Sequence, residues 1–222
     1  MTQNYDARMH GKVGNGEVRR WLEEGARVAL YIRHAERPPL DPDDPTFGET
    51  LALTEAGMHE ARALGTALRG SVRAARLWAS PMERTRRTVQ LVAEGAGLGT
   101  GLPVSDAPEI GTGSVFRDQR SVHQTMCAVG VMEYQLAYLD NGTAPHAWSV
   151  AETTARTIRW LGEVATAQLN LFGGHDVCIA TILTGLGMAR ISNENWPAYL
   201  TGLARVETGG VWRNHIYDGT TG

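Results

Sequence analysis

The chain has 222 residues, 21 basic and 24 acidic, giving a formal net charge of −3. That length favours one domain, and a charge so near neutral argues against a protein that holds nucleic acid by neutralising phosphates. With 42% hydrophobic and 20% charged residues and two cysteines, Cys127 and Cys178, the composition is globular and excludes collagen, coiled coil and a disulfide-framed scaffold. No apolar run approaches the ~18–20 residues of a membrane span, so no membrane partner is expected.

Residues 1–20 lack the apolar stretch of a secretory signal, which predicts a cytoplasmic protein. Residues 1–25 read as a lead-in with a short helix around Val18–Glu24, and the core of a single domain (1–222) is expected over 26–217. Lys12 is the only lysine beside twenty arginines, so any anion site here is an arginine site, with the planar donor fork that matches phosphate. Ala26–Ile32 is a buried strand by its continuous apolar run. The four prolines among residues 37–50 mark a loop.

A helix is expected over Thr54–Arg69, with Thr54 as N-cap, a Leu53–Met58 staple and a buried stripe through Ala61, Leu64, Gly65 and Leu68. Arg76–Ala79 closes a second strand. Ser80 then reads as an N-cap, Pro81 as the first helical residue and Glu83 as the partner of a capping box, in a helix running to about Gly95. The glycines at 97, 99 and 101 follow a helix and read as a loop rather than a dinucleotide fingerprint. Pro103–Ile110 contains a third strand. A helix near Asp118–Leu139 places Val122, Met126, Val129, Met132 and Leu136 on one face, and another covers Ser149–Gln168. Leu169–Gly173 is a strand followed by a helix to about Met188. Leu203–Val206 and Val211–Tyr217 form a hairpin across Gly209-Gly210. Alternating strands and helices predict an α/β sandwich, whose sites lie beyond the carboxyl ends of the strands. Arg33-His34, Ser80–Arg84 and His175-Asp176 all fall at such ends.

His34 follows a buried strand and is flanked by Arg33 and Arg37. A histidine so placed is either a structural polar residue or a nucleophile. The two guanidiniums oppose the imidazolium, favour the neutral nucleophilic ring and attract an anion. Arg84 lies in the first turn of a helix whose N-terminus favours anions, whereas Arg86 and Arg87 read as surface residues. Asp176 is either a helix cap or a general acid, and His175 is either a donor to a bound anion or a buried ring.

These motifs resemble those of the histidine phosphatase superfamily, the phosphoglycerate mutase-like fold. The resemblance runs from Ala26 to Tyr217 through four motifs in order: Arg33-His34, Leu53-Thr54-Glu55-Ala56-Gly57, Ser80-Pro81-Met82-Glu83-Arg84-Thr85 and Gly174-His175-Asp176. Arg33-His34-Ala35-Glu36-Arg37-Pro38-Pro39, His175-Asp176 and Trp196-Pro197-Ala198-Tyr199 are similar to the acid phosphatase branch, with Ala35 in place of its glycine. The size is that of the compact, mutase-like branch, in which Glu109 would stand at the place of the acid.

The resemblance implies a three-layer α/β/α sandwich with a mostly parallel central sheet. It implies a phosphomonoesterase acting through phosphohistidine at His34, with Arg33, Arg37, Arg84 and His175 on the phosphate. Asp176 is preferred to Glu109 as proton donor. No cofactor or metal is expected. The expected substrate is a phosphorylated small molecule or phosphoprotein. The competing readings are a mutase-like phosphotransferase and a non-catalytic module that binds a phosphorylated ligand.

The remaining features read as structural. Asp41, Asp43 and Asp44 belong to a solvated lid, and His59 to an exposed helix face. His10, His123, His146 and His215 follow no catalytic pattern. Trp196 and Tyr199 read as packing, and Cys178 as a buried thiol. Arg117, Arg120, His123 and Trp148 lie in the segment expected to cover the pocket.

Overall fold

The computed structural model describes residues 11–40, 44, 46 and 48–220. Seven strands form one sheet: β1 (Lys12–Val13), β2 (Arg27–Arg33), β3 (Ala75–Ala79), β4 (Val104–Asp106), β5 (Leu169–Gly174), β6 (Thr201–Thr208) and β7 (Val211–Asp218), in the order β1-β7-β6-β2-β5-β3-β4. The pairs β1–β7, β2–β5, β3–β5 and β3–β4 are parallel, and β6 runs antiparallel to both β2 and β7. The helices are α1 (Asn15–Glu23), α2 (Glu55–Ala67), α3 (Glu83–Gly95), α4 (Gln119–Val129), α5 (Val131–Asn141), α6 (Val150–Val164) and α7 (Asp176–Gly185). Among the described residues, no helix is long and apolar enough to cross a membrane.

The period of two along β2 divides the core. Val28, Leu30 and Ile32 face one side and pack with Leu22 of α1, Leu64 of α2 and Val89 of α3. Ala29 and Tyr31 face the other, packing with Val122 of α4, Tyr138 of α5, Leu161 of α6 and Ile179 of α7. The result is the expected three-layer α/β/α sandwich. Two glycines bring α2 and α3 into contact: a Cβ at Gly65 would lie 2.0 Å from the Val92 carbonyl oxygen, and one at Gly95 would lie 2.1 Å from that of Arg62.

Several expected elements are confirmed in detail. Thr54 caps α2, its hydroxyl accepting from the Gly57 N–H at 3.0 Å. Ser149 caps α6 in a capping box with Glu152, although that helix ends at Val164, short of Gln168. At the closing hairpin, Gly209 and Gly210 have φ of 61° and 80°, the left-handed pair that a two-residue turn between twisted strands requires.

Other elements differ from expectation. The lead-in includes a strand, β1, seated beside β7. The expected helix over Asp118–Leu139 is two helices broken at Gly130, whose φ of 99° and ψ of 140° no right-handed helix contains. The break turns Val129 out to 53% exposure, away from buried Val122 and Met126. At α3, the N-cap is Met82 rather than Ser80, with no side-chain cap, so Arg84 is the second helical residue rather than the fourth. Ser80 does not cap because its hydroxyl is bonded elsewhere.

Candidate active site

The sheet register assembles the site. Arg33 of β2 lies opposite Gly174 of β5, and Ala79 of β3 lies opposite Gly173. The ladder continues one step beyond the strands, with the His34 N–H donating to the Gly174 carbonyl and the Ser80 N–H to that of Gly173, both at 3.0 Å. Three chain segments therefore leave one sheet edge at adjacent positions, carrying His34, His175 and Ser80.

His34 and His175 are both buried, with ring centroids 5.7 Å apart. The His34 Nδ1 lies 2.7 Å from its neighbour's carbonyl, Ala35 O. A carbonyl only accepts, so Nδ1 carries the hydrogen and Nε2 keeps the free lone pair. Burial, then the facing His175, then Arg84 and Arg33, push the His34 pKa down to about 2. The neutral ring expected from the sequence is thus produced chiefly by burial, and Arg84 takes the part assigned to Arg37. His175 is lowered to about 3 by burial and by Arg84, Arg33 and Arg37, against the opposing pull of Asp176.

Arg33 is not among the cavity-lining residues. Its guanidinium donates to the Pro197 carbonyl at 2.7 Å, pairs with the Asp176 carboxylate at 3.0 Å and lies 4.2 Å over the Tyr199 ring. Arg84 is buried and donates to the Gly48 carbonyl at 2.6 Å, with its pKa lowered to about 10 by burial and by Arg37. Arg37 donates to the Pro38 carbonyl at 2.6 Å. The Nε–H groups of Arg33, Arg37 and Arg84 are buried without a hydrogen-bond partner. Such groups are costly unless something pairs with them.

Asp176 is the first residue of α7, and His175 is the N-cap. The carboxylate accepts from the Val177 N–H at 2.8 Å. Burial raises its pKa, but Arg33, the Trp196 side chain and Val177 more than offset this, and the net direction is down. Glu109, the alternative acid, is exposed in a short 3₁₀ turn (Pro108–Ile110) and is not among the cavity-lining residues.

The sequence reading missed several partners of these groups. The Ser80 Oγ lies 2.8 Å from His175 Nε2 and 3.0 Å from the Thr85 Oγ1. Trp196, read as packing, lines the cavity and its side chain helps to lower the Asp176 pKa, while Tyr199 lies 5.7 Å from the His34 ring. A strand-to-helix serine signals a cap first, and nothing local in the sequence announces a contact across 95 residues. The resemblance of Trp196-Pro197-Ala198-Tyr199 to one branch was the one available signal for that segment. The motif at 53–57 clamps the loop after His34: Thr54 donates its N–H to the Glu36 carbonyl at 3.0 Å and its hydroxyl to the Glu36 carboxylate at 2.6 Å. A Cβ at Gly57 would lie 2.5 Å from that same carbonyl oxygen.

A cavity of about 510 Å³ opens beside these groups, with His34, Arg37, Arg84, His175 and Asp176 at one end. Of the residues expected to cover it, Arg120 and His123 line it and Arg117 and Trp148 do not. Arg117 and Arg156 instead lie over the Trp148 ring, 5.4 and 4.3 Å from its centroid. Asp44 is a turn residue, its carboxylate accepting from the Thr46 and Gly48 N–H groups, while Asp41, Asp43 and His10 lie outside the described residues. His59 is exposed, His215 packs 5.0 Å from the Trp21 ring, and buried Cys178 has its thiol pushed up to about 12.

The sequence matches the family described as the histidine phosphatase superfamily (branch 1) over residues 30–210. Solved structures of similar architecture include mycobacterial hydrolase 1, with a TM-score of 0.55 at 18% identity over 87% of this chain and 99% of that one. Native mycobacterial glucosyl-3-phosphoglycerate phosphatase superposes with a TM-score of 0.53 at 16% identity, over 88% and 100% of the two chains. Phosphoglycerate mutase from Bacillus anthracis str. Sterne does so with 0.52 at 14% identity, over 86% and 92%. At these identities the likeness carries the fold. No curated protein matches the chain.

Proposed function

The chain belongs to the histidine phosphatase superfamily, and from that premise we propose that it is a phosphomonoesterase working through a phosphohistidine at His34. The observation that carries the reading is the pairing of a neutral, buried His34 with the guanidiniums of Arg37 and Arg84 at one end of the cavity. A phosphate dianion there is attracted by both guanidiniums, with its phosphorus before the imidazole. Arg84, Arg37 and His175 hold the equatorial oxygens, while Arg33 fixes Asp176 from behind.

In the first step His34 Nε2 forms the bond to phosphorus as the bond to the ester oxygen breaks. Asp176 gives its proton to that oxygen and the alcohol leaves. In the second, water attacks the phosphohistidine, its proton passes to Asp176, and inorganic phosphate departs with His34 restored. Unliganded Asp176 is held ionised by Arg33 and Trp196, so its proton arrives with the phosphate, whose negative charge favours the acid form. In this reading the guanidiniums supply the positive charge that metal ions supply elsewhere.

The test is a chemical quench. Reaction with labelled substrate stopped in alkali is expected to leave an acid-labile phosphoprotein, and His34→Ala to abolish both the label and at least 1,000-fold of turnover, roughly the scale of removing a catalytic nucleophile. Label that survives in His34→Ala, or that proves stable to acid, overturns the assignment.

A further inference from the structure

The cavity extends well beyond the space a phosphoryl group fills, and its two ends differ in chemistry. Away from the histidines its inner wall is formed by Phe116, Val122 and Met126, all at most 7% exposed, with Met82 and Met132 beside them. Thr112, His123 and Gln135 are the less exposed polar side chains of the lining, and the exposed Thr46, Glu49, Gln119 and Arg120 stand at the rim. We propose that the alcohol esterified to the phosphate is apolar. The site takes monoesters of alkyl or aryl alcohols in preference to sugar phosphates or phosphorylated hydroxyacids. This rests on the phosphomonoesterase reading and adds the substrate class.

Two physical arguments support it. A sugar carries several hydroxyls that need partners when water is removed, and an apolar wall supplies few. An apolar body gains from the same wall with every methylene it buries. Three methionines in one pocket also suit variable shapes, because the unbranched thioether adapts where a branched side chain holds one form. Chains and flat rings are both accommodated by such a wall.

The phosphate and its alcohol are tested separately. Calorimetric binding of n-alkyl phosphonates from ethyl to octyl, which cannot be hydrolysed, is expected to tighten roughly two- to fourfold per methylene until the chain reaches the rim. The matched n-alkyl phosphates are expected to show the same climb in kcat/KM, with hexyl phosphate exceeding glucose 6-phosphate and glycerol phosphate at least tenfold. Met132→Gln should flatten the climb. That slope is a ratio within one preparation, so partial misfolding of the variant does not produce the effect. Hydrolysis with no dependence on chain length, or with the sugar ester preferred, overturns the apolar pocket and leaves the phosphatase reading intact. A climbing affinity with no ester hydrolysed supports the pocket and overturns the phosphatase reading.

Discussion

The hydroxyl of Ser80 bonds to the ring that would hold the transferred phosphoryl group, so the orientation of His175 depends on a residue outside the cavity lining. Removing a buried hydrogen-bond partner costs about 1–3 kcal/mol, and Ser80→Ala should therefore lower kcat/KM by roughly 5- to 100-fold. Ser80→Thr, which keeps the hydroxyl, should restore most of it. Full activity in the alanine variant would make the contact incidental. The identity of the acid is read by leaving groups. Asp176→Asn should lower turnover of an alkyl phosphate by roughly 100-fold or more while sparing much of that on p-nitrophenyl phosphate, because general acid catalysis matters most for a poor leaving group. The same comparison in Glu109→Gln should show a smaller gap, and a reversal between the two variants would transfer the acid to Glu109. At this scale the sequence was most informative near the strand ends, where His34, Arg84 and His175 do come together in one cavity. Tyr199 packs as read, against His34 and Arg33, whereas Trp196 and Ser80 were misread because their surroundings come from distant partners, which local spacing does not encode.

Strong periodicity and cap chemistry made most elements legible. Thr54 acts as read because its oxygen is free to meet the N–H three residues on, and Ser149 does the same at α6. Ser80 obeyed the same local rule but was drawn away by a histidine and a threonine, so tertiary bonding displaced a cap that propensity favoured. The Gly130 break was illegible as a break because the apolar face continues through it in sequence. Glycine also decides how closely α2 and α3 approach. An alanine in a helix is worth about 1 kcal/mol over glycine, so an open site would gain from Gly65→Ala. Here the added Cβ would lie 2.0 Å from a backbone oxygen that no rotamer change can move. Overpacking then outweighs propensity, and urea unfolding should show a net loss of about 2 kcal/mol or more. A gain in stability would mean the two helices separate easily.

For the molecule as a whole, two histidines held neutral in the folded state link stability to pH. Their folded pKa values, about 2 for His34 and about 3 for His175, lie below the ordinary 6.5. As pH falls below 6.5 the unfolded chain takes up protons that the folded one refuses, so stability is greatest above that pH and declines toward pH 3. Each histidine contributes a slope of up to about 1.4 kcal/mol per pH unit. Urea titrations at pH 7, 6 and 5 should show a total loss of about 2–4 kcal/mol, and His34→Ala should roughly halve the decline. A flat profile would mean that these rings accept protons without unfolding.

The segment between β4 and α6 packs into the core through α4 and α5 but is also closed on itself. Its two ends are tied to each other, Phe116 bridging Ala147, the Arg117 N–H donating to the His146 carbonyl at 2.8 Å and the Trp148 N–H to the Val115 carbonyl at 2.8 Å. The helices α4 and α5 emerge from that tie and supply Val122, Met126 and Met132 to the cavity wall, while both histidines and Arg84 are set by the sheet edge and α3. On the proposed reading, the phosphate end of the cavity and the wall beside it thus come from different pieces of chain. Exposed positions of the helical pair that face the cavity can then be changed to reshape its wall while the sheet ladder keeps both histidines in register.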